Sequence, residues 1–83
     1  MEKILVEVFV PVINTSIDVF IPKASPMYEV ASLIKEAVTE LSKGRFVASE
    51  ETALCYRDSG AIINVNMKVY ELGIHNGSKL MLI

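Results

Sequence analysis

Two periods divide the chain. From Lys3 to Val10 apolar and polar positions alternate: Ile4, Val6, Val8 and Val10 share one face, Leu5, Glu7 and Phe9 the other, and Glu7 marks the second face as the wet one. Ser16 to Ile21 repeats the rule, with Ile17, Val19 and Ile21 inward and Asp18 and Phe20 outward. Pro11 to Thr15 between them carries a turn signal, so the two runs predict an antiparallel hairpin. The period then changes. In Ser25 to Lys43, Val30, Leu33, Ile34, Ala37, Val38 and Leu41 recur at steps of three and four and predict one amphipathic helix. Ser25 is placed to cap it, Pro26 fits its first position, and Gly44 is the expected left-handed stop.

Beyond the helix the pattern is strand and turn. Residues 45–52 have no clear period and read as a loop, with Phe46 and Val47 tucked under the helix end. Thr52 to Arg57 predicts a third strand with Leu54 and Tyr56 inward and Ala53 and Cys55 outward. Asp58-Ser59-Gly60 turns into a short fourth strand around Ala61 to Ile63. Val69 to Leu72 reads as one helical turn closed by Gly73, with Ile74 in the core. Asn76-Gly77 turns into a last strand, Lys79 to Ile83, with Leu80 and Leu82 inward and Met81 and Ile83 outward. The order β-β-α-β-β-β, with the most apolar strands first and last, puts those two side by side and parallel in the middle of a sheet. The expectation is an α+β, β-grasp arrangement: a mixed sheet curled around one helix.

Composition narrows the function classes. Eighty-three residues read as a single domain, 1–83, and 52% hydrophobic residues are enough to fill its core and leave apolar surface over. A net charge of −2 with interspersed signs gives no basic field for nucleic acid or an anionic membrane. One cysteine cannot form an internal disulfide, which fits a reducing compartment. The opening apolar run is interrupted by Glu7 and followed by Pro11, so it reads as a strand rather than a signal peptide. No run has the length of a membrane span, so direct membrane insertion is not expected.

Candidate chemistry is sparse. Cys55 and His75 are the only thiol and imidazole; the pattern puts one mid-strand and the other at a turn, without a third group to orient a base. One Cys and one His fall short of a closed zinc site, and no glycine-rich phosphate loop follows a strand, so neither metal nor cofactor is expected. Tyr28, Tyr56 and Tyr70 are spread over three elements and read as core-edge residues. The outer sheet face is different. Leu5, Phe9, Phe20, Cys55, Met81 and Ile83 all point away from the helix by alternation, and a contiguous apolar patch of that size marks a protein contact. The opposing reading is that the stems of Lys3, Glu7, Arg57 and Lys79 cover it. The occupant is left open between a second copy, giving a homodimer, and a different partner.

The strand openings KILVEVFV and SIDVFIP, the LGIHNGSKL signature and the closing segment MKVYELGIHNGSKLMLI resemble ubiquitin-like proteins, and within them the YukD/EsaB branch. That resemblance implies a small cytoplasmic, non-enzymatic accessory or regulatory protein of bacterial type VII (WXG100, ESX-like) secretion. It would work by binding other components of the machinery, such as a membrane ATPase or channel subunit. Conjugating and sulfur-carrying relatives need a flexible tail ending in Gly-Gly. This sequence ends at Ile83 within a strand, so the reading excludes covalent tagging. Small non-catalytic subunits of multicomponent oxygenases share the same fold and form the alternative.

Overall fold

The period-two runs form the centre of the sheet. In a computed structural model describing residues 2–83, β1 (Lys3–Val10) and β2 (Thr15–Pro22) pair antiparallel in continuous register from Lys3 opposite Pro22 to Val10 opposite Thr15. A 3-10 turn, Pro11–Ile13, joins them, and Asn14 closes it in the left-handed region at φ 48°. After α1 (Met27–Leu41) come β3 (Leu54–Tyr56), a 3-10 turn at Val69–Leu72 and β4 (Lys79–Leu82). The sheet order is β2-β1-β4-β3, with β4 parallel to β1 and antiparallel to β3. First and last strands are neighbours, as their two-sided apolar character requires.

Alternation assigns the faces correctly. Val6, Val8, Val10, Leu80 and Leu82 are fully buried beneath the helix, joined by Ile4, Ile21, Leu54, Ile63, Phe46, Val69 and Ile74 in one core cluster. Asn76 ties the last turn to this frame: its Oδ1 accepts the Leu5 N–H at 2.8 Å, and the Gly77 N–H donates to the Leu5 carbonyl at 2.9 Å. Gly77 does so at φ 88°, a conformation that glycine adopts without strain.

The helix differs from expectation in three ways. It begins at Met27, with Pro26 rather than Ser25 at the cap and no side-chain cap bond. Its first N–H groups are satisfied from a distance instead: Met27 donates to the Met67 carbonyl at 2.8 Å and Tyr28 to that of Val65 at 3.0 Å. Second, Met27, Val30, Ala31, Ile34 and Val38 are buried, whereas Leu33 and Leu41 are 56% and 65% exposed. The steps of three and four contain two rows. Residues 30, 34 and 38 meet the sheet, and 33, 37 and 41 run along the flank. Third, it ends at Leu41 rather than Lys43 and unwinds through Lys43 and Gly44; Gly44 takes the left-handed conformation expected of it, and Lys43 before it has positive φ as well.

That unwinding is held by Ser42, the one buried polar residue among the described residues. Its Oγ donates to the Thr39 carbonyl at 3.1 Å and accepts the Phe46 N–H at 3.0 Å. Ser42→Ala leaves the buried Phe46 N–H without a partner. It is expected to destabilise the domain by about 1–3 kcal/mol, read as a lower midpoint in urea with an unchanged slope.

The segment 61–63 makes a single bridge, Ile62 opposite Cys55, rather than an extended strand. The N–H of Tyr56 donates to the Ala61 carbonyl at 2.9 Å and that of Ile63 to the Leu54 carbonyl at 3.0 Å, after which Asn64 turns the chain away. Those two bonds are enough to cover the outer edge of β3 and send Ile63 into the core. Val47, expected under the helix end, is 75% exposed, and Phe46 alone fills that place.

Candidate functional site: the outer sheet face

Cross-strand register converts the outer face into rows. Leu5 lies opposite Phe20. The next row is charged: Asp18 beside Glu7, Glu7 beside Lys79, and Arg57 bonded through its N–H to the Lys79 carbonyl at 3.1 Å. The third row runs Ser16, Phe9, Met81, Cys55, Ile62. Ile83 follows, exchanging backbone bonds with Ala53 at 2.7 and 2.9 Å. Phe20 and Ile83 are 66% and 53% exposed; Leu5, Phe9 and Met81 are half-buried.

Two corrections follow. Cys55, expected in the exposed patch, is fully buried. It stands on the outer side between two longer side chains, Met81 on one neighbour and Ile62 on the other, and its short side chain does not reach their height. Burial pushes its thiol pKa up, which lowers the thiolate fraction and with it the reactivity. The apolar positions are also not one continuous patch. The charged row separates Leu5 and Phe20 from Phe9, Met81 and Ile83, and the Arg57 guanidinium covers part of the second group. Its carbon stands 4.5 Å from the Phe9 ring centroid while Nη1 reaches Glu7 Oε2 at 3.2 Å. The half-exposed ion pair contributes at most about 1 kcal/mol, so a partner can displace this cover readily.

Sequence reasoning missed two parts of this surface. Ile62, 71% exposed, extends the third row beyond Cys55. Around the end of the sheet an apolar groove of about 710 Å³ is lined by Pro11, Val12, Phe46, Val47, Leu82 and Ile83 together with Arg45. The signal for the groove was present in two apolar pairs, Pro11-Val12 and Phe46-Val47, inside segments that otherwise read as turn or loop.

A second cleft brings Asp58, His75 and Ser78 together with Tyr56 and Lys79, and Cys55 does not line it. The groups are committed to local structure. Ser78 Oγ accepts the His75 N–H at 2.9 Å, and His75 Nδ1 bonds the Asn76 carbonyl at 2.9 Å, an arrangement that needs the proton on Nδ1. Among the described residues the His75 ring makes no hydrogen bond to Ser78 Oγ, as a base must to its nucleophile; only the backbone N–H reaches it. Among the described residues no group of three or more His, Cys, Asp or Glu is placed to hold a metal ion. Among the described residues no helix is long and apolar enough to cross a membrane either.

No protein-family model matches the chain, and no curated protein matches its sequence. Solved structures do match over its whole length. The ubiquitin-like domain of the Mycobacterium tuberculosis type VII secretion system protein EccD1 aligns at 17% identity and a TM-score of 0.79, covering 100% of this chain and 99% of that one. A chain of the MycP5-free ESX-5 inner membrane complex aligns at 19% identity and TM-score 0.72; all of this chain matches 21% of that one. A chain of a toluene 4-monooxygenase complex aligns at 18% identity and TM-score 0.72, covering 98% and 96%. The fold is the ubiquitin-like β-grasp. At these identities the likeness speaks for fold, and the single-bridge segment 61–63 is compatible with it.

Proposed function

We propose that this chain is a ubiquitin-like accessory protein of a type VII secretion system, of the YukD/EsaB kind, that acts by binding protein rather than by catalysis. The observation that carries this reading is the full-length match to the secretion-system domain of EccD1, combined with the LGIHNGSKL closing turn. In this reading it works in the cytoplasm, reaches the membrane only through partners, and docks on a membrane ATPase or channel subunit. The docking surface is the outer sheet face: Leu5 and Phe20 on one side of the charged row, Phe9, Met81 and Ile83 on the other. Two apolar clusters flanking a row of fixed charges give both area and register, which suits specific recognition.

The match to the oxygenase complex supports the rival reading, a non-catalytic oxygenase subunit, on a lower TM-score. Affinity purification of the tagged chain from its native cell separates the two. Type VII components in the eluate are the expected result; oxygenase subunits in their place would overturn the proposal.

A further inference from the structure

β2 has only one hydrogen-bonded neighbour, β1, and stands at the free edge of the sheet. Its open groups can be assigned. On β1 the odd residues bond towards β4: the Glu7 N–H donates to the Ser78 carbonyl and the Leu5 carbonyl accepts from Gly77. The even residues Ile4, Val6, Val8 and Val10 therefore bond to their partners Ile21, Val19, Ile17 and Thr15. That leaves the N–H and C=O of Ser16, Asp18 and Phe20 directed away from the sheet, a free ladder about three residue pairs long.

An apolar wall stands over this edge. More of the helix lies alongside β2 than alongside any other strand. One of its flanks is turned the other way: Lys35 and Thr39 share a cleft with Ala48, on chain that leads into β3. The opposite flank, carrying Leu33, Ala37 and Leu41, therefore overhangs β2. Below it Ile17 and Val19 are only half-buried, in contrast to their partners Val8 and Val6.

Charge states the occupant. Across the sheet the charged row reads Asp18, Glu7, Lys79, Arg57: two acids, then two bases. Arg57 bonds Glu7, and Asp18 makes no ion pair among the described residues. A second copy paired about Asp18 would set like charges face to face, which is unfavourable. A strand with Lys or Arg opposite Asp18 would complete the row. We propose that the β2 edge accepts an extended segment of another protein, with a basic residue facing Asp18 and apolar residues on either side of it facing Leu33 and Leu41. This site uses the backbone edge of β2 and the helix flank; Asp18 and Phe20 also belong to the outer face, but the site does not depend on the docking proposed there.

The test uses an acetylated, amidated probe peptide, Thr-Val-Thr-Val-Lys-Val-Thr-Val-Thr, whose palindromic order makes strand direction immaterial, and its Glu-centred counterpart. On titration into the isotopically labelled chain, the amide resonances of Ser16, Asp18 and Phe20 and the methyls of Leu33 and Leu41 are expected to shift together. The Lys peptide should bind roughly two- to five-fold tighter than the Glu peptide, and Asp18→Lys should invert that order. Leu33→Asp with Leu41→Asp, both at exposed positions, should remove binding while circular dichroism stays unchanged. Shifts confined to other elements, equal affinity for the two peptides, or concentration-dependent self-association through β2 without peptide would each overturn the proposal.

Discussion

Val38→Asp is expected to unfold the domain. Val38 is 1% exposed, the last member of the row that the helix lays on the sheet, and belongs to the single core cluster. The substitution gives up about 1.5 kcal/mol or more of apolar burial. It also sets a carboxylate among the apolar side chains of the core cluster, a desolvation penalty of several kcal/mol. Against a net stability of roughly 5–15 kcal/mol for a whole domain, the sum removes most or all of the margin. Far-UV circular dichroism and a urea melt read the outcome. Loss of the cooperative transition is expected; a transition near that of the parent would mean that the helix is packed through another row. Ser32→Asp, on the exposed side of the same helix, is the control and should melt with the parent.

The contrast between Val38 and Leu41 shows where sequence patterning reaches its limit. Both fall at steps of three and four, and hydrophobicity alone gives them equal weight. Only the crossing of the helix over the sheet decides that 30, 34 and 38 face it while Leu33 and Leu41 stay exposed. The strands were more legible because period two leaves one choice of face: Val6 and Leu82 inward, Phe20 and Ile83 outward. Even there the alternation fixes direction and not exposure. Cys55 points outward and is still buried, because exposure depends on the height of Met81 and Ile62 beside it. Non-local satisfaction was hidden altogether. The cap of α1 comes from carbonyls of residues 65 and 67, and nothing near Pro26 in sequence announces them. The split of the outer face into two clusters was also out of reach, since it follows from cross-strand register, which aligns Asp18, Glu7, Lys79 and Arg57 in one row.

The second large effect concerns the surface. Met81 and Ile83 lie on the outer side of the last strand and beyond it, outside the core cluster that Leu80 and Leu82 join. Aspartate at both positions should therefore leave the fold intact. It would place two charges in the larger apolar cluster, beside Phe9 and next to the groove that Ile83 also lines. Desolvating such charges against an apolar partner surface costs several kcal/mol, so binding should fall by more than about ten-fold. β2 and its edge are on the far side of the sheet from β4's partner β3, so peptide capture at Asp18 would be unaffected.

The direct measurement is quantitative recovery of partner proteins from native-cell lysate by the tagged parent chain and by the Met81→Asp, Ile83→Asp variant, each first shown to have the same melting transition. Recovery by the parent with a drop of at least about ten-fold for the variant is the predicted result. Equal recovery by two equally folded proteins would contradict the claim that this chain acts through its outer sheet face.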